Sequence, residues 1–382
     1  MAITFPASPT NGQTFTSGNK TWQWDGTTWL AYGASLSPTV LKVDAANARV
    51  GINNQSPAYA LDVNGTIEGT QFIQGTDYLS PYQGFRNKII NGGFNIWQRA
   101  TSFSAPANVA YTADRWASIW GTAQRTYSRV AGFSNFQYAL RLARDTGSTN
   151  TGNSGLVQAF ETADCYQLQG KTVTLSFYAR CGSAWTTASS QLSVTAYTGT
   201  GTDQSVSTWY TPGWTGAANP LNSTATLTTT AQRFTYTFTV ASNATQLIIY
   251  LNSAYVGTAT ANDYFEITGV QLEQGSVATP FEQRPIGTEL ALCQRYYYAG
   301  NPGLNSVGMS MNTNQFGELL TFAYPVTMRA TPTITNSFVN VDNAVNSASY
   351  ATNNYFSIKV YPFNTGFGYG FFTFTFVASA EL

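Results

Sequence analysis

The sequence predicts an all-β, multidomain chain, and three observations carry that prediction. Apolar and hydroxyl residues alternate with period two through the middle of the 382-residue chain. Turn dipeptides such as Asn-Gly, Asp-Gly and Ser-Pro punctuate the alternating runs. No apolar stripe recurs at helical spacing between residues 85 and 285. The length suits roughly two to four domains. Four segments are expected: a small N-terminal β unit (1–33), a slender short-strand intertwined segment (34–84), a jelly-roll β-sandwich (85–285) and a C-terminal β domain (286–382).

Residues 1–33 carry turns at Asn11-Gly12, Ser17-Gly18 and Asp25-Gly26. Trp22 and Trp24 lie two apart, so they share one face of a strand, and Trp29 follows across the Asp25-Gly26 hairpin. Two readings stand: the rings are the core of a unit too small to bury anything else, or they form a sugar platform.

Residues 34–84 read as very short strands at Arg49–Ile52, Ala60–Val63 and Thr66–Ile67. Such strands are too short to build a core alone. Leu61, Val63 and Ile67 are regularly spaced, and winding three copies about an axis would bury them, which predicts a homotrimer. A plain flexible linker is the alternative.

The strongest strands follow. Lys171–Arg180 places Val173, Leu175, Phe177 and Ala179 on one face; Gln191–Tyr197 does the same with Leu192, Val194 and Ala196. Arg233–Val240 groups Phe234, Tyr236, Phe238 and Val240, and Gln246–Asn252 and Tyr264–Glu273 complete the set. One wet face per sheet and this loop pattern favour a jelly roll over a barrel. After residue 285, GTELALCQRYYYAG suits a turn or two of helix before a strand, bounded by Gly287 and Gly300. Phe372, Phe374 and Phe376 share one face of a last strand, making this smaller β domain a candidate fibre tip.

Charge is the unusual quantity. Only 9% of residues are charged, against roughly 25% in typical soluble proteins. Net charge is zero without basic clusters, which excludes duplex nucleic acid as a partner because phosphate counterions must be displaced by Lys and Arg. With no histidine, Ser-His-Asp and Cys-His catalysis and His-ligated zinc are excluded. Cys165, Cys181 and Cys293 lack CxxC spacing and read as small buried residues. The N-terminus has no secretory pattern, and no apolar run reaches the ~20 residues of a membrane helix. Synthesis in a cytosol and release by lysis or within a particle are expected.

Carboxylates give no catalytic residue. Asp145, Glu161, Asp164, Asp203, Asp263 and Glu266 are scattered, with strand spacing only between Asp263 and Glu266, whereas glycoside hydrolysis needs a facing pair. No enzyme is expected. Sugar binding is read in the loop DQSVSTWYTPGWTGAAN, where Trp209, Tyr210 and Trp214 with Asp203 are candidate ligand-binding residues, and Trp185 joins them. Aromatics in a loop ask for a reason: an open platform, or folding back to cap the sandwich. Further candidates are Tyr296, Tyr297 and Tyr298, of which at least one is expected to face solvent or a neighbouring subunit, and Phe363, Phe367 and Tyr369 near the C-terminus.

Two motifs bracket the sandwich: FRNKIINGGFNIWQR with YTADRW from Phe85 to Trp116, and QLEQGSVATPFEQR over Gln271–Arg284. With LSFYAR between them, and FEITGVQLEQGSVATPFEQRPIGTELALCQRYYY closing, the order resembles the distal domain of tailed-bacteriophage tail-fibre and receptor-binding proteins. It is also similar to jelly-roll carbohydrate-binding modules of glycoside hydrolases. TWxWDGxxW near the start resembles N-terminal repeats of phage tail proteins and, more faintly, a chitin-binding module. The segment around VGINNQSPAYALDVNGTI is similar to trimeric fibre segments, and MRATPT to fibre C-terminal regions. The resemblance implies a virion tail fibre that binds a host surface glycan or receptor and attaches to other tail proteins through its N-terminal part. A structural fibre or collar component without a receptor role, and a glycan-cleaving tailspike, are the alternatives. It also implies no cofactor beyond a structural calcium, with Asn91, Asp114 and Glu273 as candidate ligands.

Overall fold

The computed structural model describes residues 3–18, 20–32, 41–44, 46–54, 56–64, 73–74, 77–78, 85–120, 125–300, 309–311, 318–342, 344–362 and 368–382. The chain divides into two compact units, Met1–Tyr82 and Gln83–Leu382.

In the first unit, β1 (Thr14–Ser17), β2 (Lys20–Trp24) and β3 (Trp29–Tyr32) form an antiparallel meander. Asp25 fixes the β2–β3 turn by accepting from Thr27 N and Thr28 N, each at 2.7 Å, and these bonds hold its carboxyl at about 2. Phe5 stacks on Trp29 (5.3 Å) and meets Trp22 edge-on (5.3 Å), with Phe15 beside both. The tryptophans therefore supply the small core that so short a sequence needs.

Next, β4 (Leu41–Asp44) pairs antiparallel with β5 (Arg49–Ile52), which pairs parallel with β6 (Leu61–Val63). Val43, Tyr59 and Leu61 are 61%, 73% and 56% exposed, so this segment leaves three large apolar residues mostly in solvent, while Leu41, Val50 and Val63 are half-buried. The hairpin of β7 (Ile73–Gln74) and β8 (Asp77–Tyr78) completes the unit. The expected strand Thr66–Ile67 lies outside the described residues.

The second unit opens with β9 (Ser102–Ser104), β10 (Ala117–Trp120), β11 (Thr126–Ala131), β12 (Tyr138–Ala143) and β13 (Ser154–Phe160). Then come α1 (Thr162–Tyr166), β14 (Thr172–Cys181), β15 (Gln191–Gly199), α2 (Val206–Tyr210), β16 (Ala218–Thr226), β17 (Gln232–Thr239), β18 (Gln246–Ser253) and β19 (Tyr264–Gln274). They build a five-stranded sheet, β10-β13-β18-β15-β16, facing a six-stranded one, β17-β14-β19-β12-β11-β9. All pairings are antiparallel, and the chain keeps crossing between sheets. The inward residues of β14 and β15 (Val173, Leu175, Phe177, Ala179, Leu192, Val194, Ala196) are buried together between the sheets. The hydrophobic gain of burying this face, about 25 cal/mol per Å² of apolar area, holds the sandwich.

The bracket stretches lie side by side. Lys88 N donates to Leu272 O (2.7 Å), Val270 N to Gly92 O (2.9 Å), and the buried Asn87 amide spans both, donating to Val270 O and accepting from Leu272 N. Phe94 and Trp116 pack beneath (5.3 Å), and Trp116 Nε1 donates to Asn91 O.

Beyond the sandwich run α3 (Ile286–Gln294), β20 (Tyr297–Gly300), β21 (Met309–Met311), β22 (Glu318–Ala323), β23 (Thr333–Asp342), β24 (Ala344–Ala351), β25 (Tyr355–Pro362) and β26 (Gly368–Ser379). Two sheets, β20-β26-β21 with β23 on β26, and β22-β25-β24, enclose Tyr324, Met328, Phe356, Ile358, Phe376 and Ala378. This region has its own core yet belongs to the same compact unit as the sandwich. Polar ties join the two: Arg329, from the MRATPT motif, donates to Ala380 O, Glu381 O and Asp203, and Glu381 pairs with Arg115 and with Arg99 (3.0 Å). Phe363 and Phe367 lie outside the described residues, as do the side chains of Tyr369, Phe372 and Phe374. Cys165, Cys181 and Cys293 are free and buried. Among the described residues no helix is long and apolar enough to cross a membrane.

Candidate functional site

The outer face of the five-stranded sheet is divided in two. Register aligns Ala117, Val157, Tyr250, Thr195 and Asn222 in one outward row, and Ile119, Gly155, Asn252, Ser193 and Thr224 in the next. Over β10, β13 and β18 this face is apolar, and it is roofed. Val206, Trp214 and Leu382 lie buried on Ala117, Val157, Ala159 and Ile248, with Trp209 and Tyr111 packed at the margin.

Local chemistry folds the roof back. Ser205 caps α2 by accepting from Thr208 N (3.1 Å), and Gly213 supplies the φ of +115° that turns the chain after one turn of helix. Trp214 Nε1 is then satisfied by Ser205 O (3.0 Å).

Over β15 and β16 the face stays open, with Ser193, Asn222 and Thr224 reaching solvent. Trp209 stands at its edge, edge-on to Tyr197 (5.3 Å) and Tyr250 (5.2 Å). Tyr210, 41% exposed, donates to Trp120 O at 3.3 Å. The result is a floor of hydroxyls and amides beside an aromatic wall, and none of these residues is charged. Burial raises the Tyr250 hydroxyl above its ordinary range, reinforced by the Tyr210 and Tyr197 hydroxyls nearby, so it stays a proton donor at any working pH. Such a surface can stack an apolar ring face and exchange hydrogen bonds with neutral hydroxyls.

The structure distributes the sequence-predicted residues unevenly. Trp209 and Tyr210 flank the open face. Trp214, 4% exposed, is in the roof, and Trp185, 8% exposed, packs on Phe265 (6.2 Å) in the main core. Neither offers an open ring, because each gains more from covering apolar sheet than from facing water; both are corrections to the open-platform reading. Asp203 is a tie between elements, accepting from Thr162 N at the start of α1 (2.7 Å) and from Arg329 (3.3 Å). Tyr197, Tyr250, Asn222 and Thr224 were missed, although alternation in QLSVTAY already points Tyr197 outward. The three consecutive tyrosines all find packing partners: Arg115 lies over Tyr296 (3.4 Å), Arg99 over Tyr297 (3.5 Å), and Tyr298 meets Phe376 (5.8 Å). Tyr296 and Tyr297 are buried and Tyr298 half-buried, so the expected solvent-facing tyrosine is not among the first two.

Two carboxylates with strand spacing are structural. Asp263 is fully buried against Arg144 (3.0 Å), and Glu266, also fully buried, bridges Arg141 (2.5 Å) and Arg180 (2.6 Å). The calcium candidates fit a metal poorly. Asn91 Oδ1 accepts from Ile96 N, Asp114 accepts from Gln98 N and Arg99, and Glu273 accepts from Thr279 N and Oγ1 and from Gln271. Among the described residues no group of three or more acidic or cysteine side chains converges.

Asp114 instead carries a pH signature. Burial pushes its carboxyl up to about 6, overcoming the pull of Arg99 and Gln98. The folded state then holds a proton more tightly than the unfolded chain, whose carboxyl titrates near 3.8. This contribution is fully present below that value and is lost as pH rises through about 6. Between pH 4 and 7, the native protein is expected to lose about 2–3 kcal/mol relative to Asp114→Asn, measured by urea unfolding of both.

No protein-family model and no curated protein matches the sequence. Among solved structures, the chain is similar to the enzymatically active domain of tailspike protein 4 of bacteriophage CBA120 at 14% identity and a TM-score of 0.32. That match covers 50% of this chain and only 22% of the tailspike chain. A CBM4 module matches at 20% identity, covering 48% of this chain and 98% of the module, with a TM-score of 0.31. The CBM22-1 xylan-binding domain of Xyn10C from Paenibacillus barcinonensis matches at 14% identity, over 46% and 94% of the two chains, with a TM-score of 0.28. Likenesses of this size define neither a ligand nor an activity.

Proposed function

We propose that the protein is a non-catalytic glycan-binding fibre protein of a tailed-phage virion, attaching the particle to a neutral host-surface polysaccharide. The observation that carries the binding role is the open half of the five-stranded sheet: uncharged hydroxyl and amide groups beside Trp209, Tyr210, Tyr197 and Tyr250. The bracket motifs and MRATPT supply the virion reading through their resemblance to tail-fibre sequences. The N-terminal unit then attaches to other tail proteins, and no metal or cofactor is needed.

A homotrimer completes the proposal. Its support is the segment β4–β6, which leaves Val43, Tyr59 and Leu61 largely in water, a state that chain association relieves. Three weak sites on one particle raise apparent affinity through effective concentration. Light scattering at micromolar concentration is expected to return three times the 41.4 kDa chain mass. A clean monomer overturns the trimer. Failure of the full chain to bind purified polysaccharide from an adsorbing host overturns the glycan role, and release of reducing sugar replaces it with a tailspike-like activity.

A further inference from the structure

The bracket motifs do more than close the sandwich: between them lies a pocket of 190 Å³ that the sheet-face site does not touch. Its size is below the ~300 Å³ at which drug-sized ligand sites begin, and about six times the ~30 Å³ share of one water. It takes one small ring, not a chain. Gly93 opens it, since a Cβ there would meet Asn95 Nδ2 at 3.1 Å and Phe136 at 3.9 Å. One wall is apolar and fixed. Phe136 packs against Phe281 (4.9 Å) and Tyr178 (5.5 Å), and its ring fills the space where Gly269 has no side chain.

The remaining lining is polar, with Asn95 half-buried and Asn135 and Gln283 at the solvent-exposed rim. The side-chain amides of Asn95, Asn135 and Gln283 line the pocket, and none has a hydrogen-bond partner among the described residues. Arg284 Nε is buried and has no hydrogen-bond acceptor, Glu282 standing 3.7 Å away. Charge then selects the ligand class. Glu282 and Glu289 outnumber Arg284, whose guanidinium is already committed to Glu289 (3.2 Å) and to the carbonyls of Ile89 and Asn87. An anionic sugar or a phosphate meets excess negative charge, while a small cation meets a fixed guanidinium. A neutral pyranose meets neither: it offers hydroxyls to the amides and a C–H face to the phenyl wall.

We propose that this pocket is a second binding site, taking a single neutral monosaccharide unit such as the terminal residue of a glycan. Saturation-transfer NMR on the full chain tests it, with millimolar glucose, galactose, mannose, rhamnose and N-acetylglucosamine as probes and glucuronic acid for comparison. At least one neutral sugar is expected to show transfer, weakened about tenfold or more by Gly93→Val, which fills the pocket. Transfer is expected to weaken also in Asn95→Ala/Gln283→Ala, whose side chains hold nothing else, and to persist in Thr224→Arg on the sheet face. If Gly93→Val does not fold, judged by its melting, the double variant decides alone. No transfer from any neutral sugar, transfer unchanged in the pocket variants, or preferred binding of glucuronic acid overturns the proposal. Loss in Thr224→Arg with retention in Gly93→Val also overturns it and leaves the sheet-face reading intact.

Discussion

Replacing Arg144 with methionine is expected to destabilise the sandwich by about 3–5 kcal/mol, the cost of stranding one partner of a buried pair. Both Arg144 and Asp263 are fully buried. The guanidinium donates to Asp263 (3.0 Å), to Thr186 Oγ1 (2.5 Å), and to the carbonyls of Ser148, Asn150 and Gly257 at 3.0 Å each. Asp263 accepts also from Thr186 N and Oγ1. One side chain thus pins three loops at one end of the sandwich, and its loss leaves the buried Asp263 without its cation and the Gly257 carbonyl without its donor, while Ser148 O keeps Ala259 N (2.8 Å) and Asn150 O keeps Arg125 (3.1 Å). Urea unfolding measures the effect. Arg144→Met/Asp263→Leu is expected to recover part of the loss, since no charge is then stranded, but not all, because Thr186 N loses its acceptor and the Gly257 carbonyl its donor. A single-variant loss below about 1 kcal/mol, the range of exposed ion pairs, would show that the site is wet.

The second large effect concerns binding. Thr224→Arg and Asn222→Arg each place a long cationic side chain on the open half of the sheet, at outward positions of the edge strand β16 where neither native side chain has a packing duty. Polysaccharide affinity is expected to fall at least about tenfold, or about 1.4 kcal/mol, with the melting temperature unchanged. Tyr210→Ala, which removes only the hydrogen bond to Trp120 O and an exposed ring, is expected to weaken binding in the same direction. Native binding is expected to be insensitive to salt, because no charge lines this face and there is nothing to screen. Trp214→Ala is a poor probe: its ring is buried in the roof, and its removal costs stability of about 3–5 kcal/mol before it reports on any ligand. Affinity undiminished in all three surface variants would move the polymer site off this sheet.

The strands were legible wherever one face is apolar and the other carries hydroxyls, whether or not that second face meets water. In β14, β15 and β17 the alternation of apolar and hydroxyl residues fixed both the element and its inward face, because period two allows only one assignment. In β18, QLIIYLN is apolar on both faces, since Ile248 lies under the roof while Ile249 lies between the sheets. Alternation is silent there, and Tyr250 went unread as an outward residue. α1 and α2 are single turns, too short to show a helical period. The carboxylates misled in a different way. Spacing singled out Asp263 and Glu266 but could not reveal that arginines from other strands, Arg144, Arg141 and Arg180, meet them in the fold.

By itself, the sequence determined the all-β class, the inward faces of the sandwich strands, and the absence of histidine and of any charge cluster. These are local or compositional properties, set within a few residues of chain. Only the tertiary structure decided which surface stays open. The Val206–Trp214 segment folds onto β10, β13 and β18 because apolar outward residues there gain by being covered, while the exposed Asn222 and Thr224 of β16 offer an apolar cover nothing. Where a loop comes to rest depends on the whole face it meets. That face is assembled from strands up to about 130 residues apart, from Ala117 to Ile248, and is written in no single stretch of the chain.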